Sequence, residues 1–341
     1  MIFKIEADSA VPVYKQLLNS FEEQLKNQQL SNGDILPSMN VLSQHLGISK
    51  ETVKKAYTIL REMNYIESSH GKGFYVNVTK NINQKVLVIF DKLSAYKLLT
   101  YQALKESLGY SADINIILHD QDIELFAQMV ETNLNNYDFF IISANFKLEK
   151  TIQDKLVQVL KRIPNRKLLL LDKLVNQLPG NFGAIYQDFE NDVYDALSEK
   201  AKLITKYEKV NVICSPNSLY YTLISKGIQK FCKEHQLSFS NFTNFDAENI
   251  QPNEIYVVLN RQLDEELFSI LKMVKQKNYK LGKDIGVISY NESPINEFIL
   301  DGLTVLSTDF TEMGLLAGNM IKEKSLRKIR NKFELIVRKT L

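Results

Sequence analysis

Cysteine is nearly absent. Cys214 and Cys232 are the only two in 341 residues, and their spacing fits neither a disulfide framework nor a metal site, so both read as buried structural thiols. Histidine is as scarce: His45, His70, His119 and His235 are scattered singly and pair no imidazoles for a metal. No apolar run approaches the roughly 20 residues that span a bilayer. The opening Met1-Ile2-Phe3-Lys4-Ile5-Glu6 lacks a signal-peptide core and cleavage site. A cytoplasmic protein without membrane contact is expected. Net charge is only +2 and favours no class of partner. Enzyme signatures are missing as well: there is no Gly-x-Gly-x-x-Gly after a strand, no P-loop and no Gly-x-Ser-x-Gly elbow. The sequence therefore offers no catalytic residue, cofactor site or metal site. An α/β enzyme stays as the rival class, with no motif in its favour.

What the chain does contain is concentrated in Gly33–Val76. Ser38 follows Pro37 and suits a helix N-cap, with Leu42 and Leu46 on one face and Gly47 supplying a turn. Ser49 is a second N-cap candidate, and Glu51 sits where a carboxylate favours the helix dipole. Val53, Ala56, Tyr57 and Leu60 recur at helical spacing and predict an inward face. Lys50, Lys54 and Arg61 fall on one outward stripe, which suits a helix entering a DNA groove and equally suits a solvated face. Tyr65-Ile66-Glu67 and Phe74-Tyr75-Val76 predict two strands around the Gly71-Lys72-Gly73 turn. Upstream, Tyr14, Leu17, Leu18, Phe21 and Leu25 predict a helix over 12–29 with Pro12 at its first position. Acidic and basic residues balance within 1–78, eight of each, so the case for DNA rests on placement and spacing.

The stretch from Pro12 to Val76 resembles the DNA-binding head of GntR-family transcription regulators. The Leu36-Pro37-Ser38 opening, the Ile48-Ser49-Lys50-Glu51-Thr52-Val53-Lys54 helix start and the Gly71-Lys72-Gly73 wing carry the resemblance. It implies double-stranded operator DNA as partner, with contacts at Asn40, Lys50, Thr52, Lys54 and Gly71, flanked by Ser38, Ser49, His70 and Lys72. Asn40, Lys50 and Lys54 stand where the family usually has arginine. Lysine neutralises phosphate but lacks the planar fork that reads guanine, so the base preference is expected to differ.

Val78–Gln84 is polar and aperiodic, and residues 79–84 read as a linker between a head at 1–78 and a second domain at 85–341. From Lys85 short apolar runs such as Val86–Phe90, Ile114–Leu118, Tyr137–Ile142 and Lys167–Leu171 alternate with helical patterns. That alternation predicts an α/β fold with parallel sheets, in two lobes that break near 180–190. Ligands of such sheets sit beyond the carboxyl ends of strands.

Residues 85–341 resemble the effector domain of lac-repressor-type regulators and periplasmic sugar-binding proteins, most clearly at Ile285–Glu292, Leu303-Thr304-Val305, Met313-Gly314 and Ile336–Thr340. The resemblance implies ligand contacts at Ser143, Asp172, Asn260, Asn291 and Phe310, a set suited to a polyol beneath an aromatic face. Ile224 replaces a sugar-binding arginine common in the family, which opens the way to ligands other than hexoses. Together the two resemblances imply a homodimeric repressor released from its operator by a small molecule, with a carbohydrate as the expected effector. A non-sugar metabolite or a partner protein as effector remains the alternative.

Overall fold

The inward stripes read from the sequence become three packed helices, α1 (Val13–Lys26), α2 (Met39–Leu46) and α3 (Lys50–Glu62), followed by an antiparallel hairpin of β1 (Ile66–Ser69) and β2 (Gly73–Val76). These come from a computed structural model that describes every residue except 1, 2, 4, 7, 8, 10, 28, 70, 72, 78–83, 110, 111, 215–218 and 260–264. Pro12 lies at the N-cap of α1 rather than inside its first turn, and the helix ends three residues before the expected 29. Its fixed φ still suits the position, because the donor it lacks is one that a helix start leaves unpaired. Leu17, Phe21, Leu42, Val53, Ala56, Tyr57, Leu60 and Ile66 form one buried core. The contacts divide the chain into two compact units, Met1–Gln84 with Tyr110–Asp113, and Lys85–Gly109 with Ile114–Leu341.

The second unit is mixed α/β with two six-stranded sheets. The first lobe holds β3 (Gln84–Phe90), α4 (Ala95–Leu108), β4 (Ala112–Leu118), α5 (Ile123–Asn133), β5 (Phe139–Ser143), α6 (Lys150–Leu160), β6 (Leu168–Asp172) and β7 (Gly183–Tyr186). The second holds α7 (Phe189–Glu199), α8 (Ala201–Ile204), β8 (Lys209–Ile213), α9 (Tyr221–Glu234), β9 (Ser238–Phe242), β10 (Glu254–Val258), α10 (Glu265–Gln276), β11 (Gly286–Tyr290) and β12 (Thr304–Thr308). The chain then returns to the first lobe with α11 (Phe310–Glu323) and β13 (Lys328–Arg330) and ends with β14 (Phe333–Ile336) in the second. Strand orders are β13-β7-β6-β5-β3-β4 and β14-β12-β11-β10-β8-β9. Of the paired strands described, β14 alone in these two sheets runs antiparallel to its neighbour. Strands β5 and β6, apolar up to their last residues Ser143 and Asp172, are buried at every position, as a sheet covered on both faces requires.

Three strand-to-element connections link the lobes, and one residue ties them. Asn331, between β13 and β14, donates its backbone N–H to the Tyr186 carbonyl (2.8 Å). Its Nδ2 donates to Thr308 Oγ1 and to the Asp309 carbonyl, both at 2.8 Å. Close by, Arg330 pairs with Asp192 and Asp195 of α7 at 2.6 and 2.7 Å. Helix α11 lies against α4 so closely that a Cβ on Gly314 would stand 2.2 Å from the Thr100 carbonyl, and one on Gly318 2.4 Å from Ser107 Oγ. Only glycine permits that approach.

Candidate functional site

In the head, local chemistry fixes the presentation of α3. Ser49 Oγ accepts from the Thr52 N–H (3.1 Å) and meets Thr52 Oγ1 at 2.8 Å, so the helix starts where the sequence predicts. Ser38 caps α2 in the same way, through Val41 N–H (3.3 Å). Gly47 ends α2 in the left-handed region, φ 66°, and sets the turn into α3. Tyr57 seats the helix from below: its hydroxyl donates to the Pro37 carbonyl (2.8 Å), and its ring meets Phe74 of the wing edge-on at 5.0 Å. The opposite face stays outside. Lys50, Lys54 and Arg61 are exposed, as are Asn40 and Ser49, while Thr52 is half-buried. Lys54 is 3.7 Å from Glu51, a solvated pair of little energetic weight. Gly71 is exposed with φ 82° at the wing tip, and His70 and Lys72 lie outside the described residues.

In the second unit a buried polar cluster gathers at the carboxyl ends of β3, β5 and β6. Asp91 follows β3, while Ser143 and Asp172 end β5 and β6. Lys97, in the first turn of α4, reaches into them and is only 2% exposed. Its ammonium meets Asp91 Oδ1 at 2.9 Å, Asp172 Oδ2 at 2.5 Å and Ser143 Oγ at 2.6 Å. Three N–H donors thus find three acceptors. Ser143 Oγ also donates to Asp172 Oδ2 (3.0 Å), Asn145 Nδ2 donates to the same oxygen (3.2 Å), and Gln187 Nε2 lies 3.4 Å from Asp172 Oδ1. From the other lobe Tyr220 donates its hydroxyl to Asn145 Oδ1 (3.0 Å) and stacks on Phe189 at 4.3 Å.

The charges follow from this geometry. Burial pushes the Lys97 pKa down, but Asp172 and Asp91 outweigh it and hold the ammonium above the usual lysine range. Burial pushes the Asp91 carboxyl up, but the Lys97 charge and hydrogen bonds from Lys97 and Asn145 hold it below the usual range. His119 braces the floor. Burial lowers its pKa, its Nδ1 accepts from Gln121 N–H, and its Nε2 sits 3.1 Å from the Ser143 carbonyl, which defines a neutral imidazole protonated on Nε2.

Of the ligand positions expected from the sequence, Ser143 and Asp172 meet directly. Phe310 opens α11 and packs its ring at a 31° tilt against Tyr96, the neighbour of Lys97, with centroids 4.7 Å apart. Asn291 follows β11 with φ 67°, its N–H on the Leu306 carbonyl and its own carbonyl 3.5 Å from Asn296 Nδ2. Asn260 lies outside the described residues. Ile224 is buried in the second lobe's core. Sequence reasoning missed Lys97, Asp91, Asn145, Gln187 and Tyr220. Asp91 had a readable signal, since it directly follows an apolar strand. Two surface depressions of about 340 and 590 Å³ lie elsewhere, and no residue of the cluster lines either. Among the described residues no group of three His, Cys, Asp or Glu is placed to hold a metal, and no helix is long and apolar enough to cross a membrane.

The structure joins a winged helix-turn-helix head to a two-lobed parallel α/β unit that has the lac-repressor type of fold. The model of the bacterial regulatory proteins, gntR family, matches residues 13–76, so the N-terminal domain is a GntR-type helix-turn-helix. The mannosyl-D-glycerate transport/metabolism system repressor of Escherichia coli (strain K12) is 37% identical over 65 residues, which is 19% of this chain and 27% of that repressor. The chain thus spans about a quarter of that relative's length. The HTH-type transcriptional regulator TreR of Bacillus subtilis (strain 168) is 21% identical over 215 residues, 62% of this chain and 77% of its own. Among solved structures, the trehalose repressor from Escherichia coli superposes with a TM-score of 0.58 at 14% identity, over 74% of this chain and 99% of that one. A dimeric lac repressor with an 11-residue C-terminal deletion gives 0.59 at 17% identity, over 75% and 98%.

Proposed function

We propose that this protein is a cytoplasmic, dimeric transcriptional repressor that binds a two-fold operator through its head, 1–78, and releases it when a small molecule binds in the second domain, 85–341, with 79–84 as linker. The observation that carries the reading is the outward face of α3, where Lys50, Lys54 and Arg61 stand exposed beyond a cap and a buried face that fix the helix. Lys50, Thr52 and Lys54 make the principal operator contacts, with Asn40 from α2 and Gly71, His70 and Lys72 from the wing. The effector seats between the lobes near Ser143, Asp172, Asn260, Asn291 and Phe310. Relatives named as trehalose and mannosyl-D-glycerate repressors support a carbohydrate or carbohydrate derivative. No turnover belongs to this reading. A coupling of about 1–3 kcal/mol between the two sites changes operator affinity by roughly 5- to 150-fold. Fluorescence anisotropy of a duplex from upstream of the protein's own gene, at fixed salt with and without pooled sugars, tests it. Specific binding weakened by one pool is expected. Binding no tighter than to random duplex, for this operator and for any duplex selected from a random pool, overturns it.

A further inference from the structure

The seat at the strand ends is already taken, and by a group of one chemical kind. Lys97 is the only buried lysine or arginine among the described residues, and its ammonium occupies the place beyond β3, β5 and β6 where an α/β sheet receives a ligand. Two carboxylates and one ammonium leave the cluster with one net negative charge. Buried charge of that kind is costly unless it is paired. Beside it Gln187, about nine-tenths buried, has an Oε1 with no hydrogen-bond donor, and the hydroxyl of the buried Tyr290 is likewise without a partner. Gln187 Oε1 belongs to the carboxamide whose Nε2 faces Asp172, so an acceptor waits next to the acidic seat. Such a site favours a guest rich in N–H donors and positively charged. No arginine stands at Ile224 to favour an anion. Lys173 is the other nearby cation, but its Nζ is held by Gln153 Oε1 at 2.8 Å.

We infer that Asp91, Ser143 and Asp172 form an ammonium seat, filled in the free protein by Lys97 and taken over by an effector that carries a primary ammonium. The inference rests on the effector-controlled reading above and narrows its ligand to amine-bearing molecules, amino sugars among them. Displacement of Lys97 frees the first turn of α4, and with it Tyr96 on Phe310, where the chain re-enters the first lobe from β12.

Lys97→Ala empties the seat and allows a direct test. n-Propylammonium, which restores the three missing carbons and the charge, is expected to raise the melting temperature of K97A in proportion to the logarithm of its concentration. n-Propanol of the same shape is expected to give no such rise, and K97A/D172N is expected to lose the contrast. Should K97A not fold unaided, refolding yield in the two solutes reads the same contrast. Equal responses, or none, overturn the seat. For the wild-type protein, glucosamine against glucose and putrescine against 1,4-butanediol are compared by duplex anisotropy. An effect of an amine member alone is expected, whereas an effect confined to the neutral members, or absent from all four, overturns the effector assignment. Failure of the duplex to bind specifically sinks the regulator reading and leaves the K97A result to stand by itself.

Discussion

Lys97 shows how much a single side chain can hide. A lysine in the first turn of a helix ordinarily reads as solvated, and nothing in the spacing of Lys92, Lys97 and Lys105 sets this one apart. What buries it is the convergence of Asp91 and Asp172 from strands more than 80 residues apart in sequence, which no local pattern encodes. Breaking a buried ion pair by removing one partner costs about 3–5 kcal/mol, because the remaining charge is stranded. Lys97→Met is therefore expected to lose about that much at neutral pH in urea unfolding. Its pH dependence supplies a sharper check. In the wild type, Asp91 is held below its ordinary 3.8, so its contribution is present above that pH and fades as acid takes the pH below it. Lys97 is held above 10.5, so its contribution is present below that pH and fades only in stronger base. Without the ammonium, the buried Asp91 carboxylate becomes easier to protonate. K97M is expected to gain stability between pH 7 and pH 5, where the wild-type pair contributes a constant amount. Equal slopes for the two proteins in that window would count against the buried triad.

At the scale of elements, the strands that line the site were readable because each contains an unbroken apolar run. Val86–Phe90, the 139–142 run and Leu168–Leu171 need no context to read as buried parallel strands. Strands β9, β13 and β14 were harder. Ser238–Phe242 and Lys328–Arg330 carry polar and charged residues because they sit at or near sheet edges, where one side of the ladder ends and burial is partial. Ser143 and Asp172 were legible as strand ends, while Tyr220 and Gln187 were not, since their place depends on how the lobes meet. The seam between α4 and α11 gives a test whose sign is informative. Alanine for glycine inside a helix normally stabilises by about 1 kcal/mol. Gly314→Ala should instead destabilise by about 1–3 kcal/mol, through the clash with Thr100, as read by thermal melting. The head offers a complementary pair. Ser49→Ala removes a cap and should cost about 1 kcal/mol of stability. Lys50→Ala and Lys54→Ala should leave the melting curve within about 0.5 kcal/mol of wild type, while each lowers the salt slope of duplex binding by about 1.

For the whole molecule, the proposed two-fold dimer makes a geometric prediction. Half-sites read by paired helix-turn-helix heads are separated by about one turn of duplex, roughly 10 bp. Inserting about 5 bp between the half-sites turns one of them to the opposite side of the helix. Operator affinity should fall by at least tenfold in anisotropy titrations, and an insertion of about 10 bp should restore part of it. Indifference to both insertions would mean that the heads bind independently.

The knot at Asn331 bears on the kind of response expected of the proposed regulator. Three connections fastened together at one point are expected to act as a single pin, which favours a swing of the lobes over a slide. Compounds of unlike shape would then drive the same arc, some through more of it and some through less. Under the proposed repressor reading, inducers are then expected to fall along one scale, from weak to full.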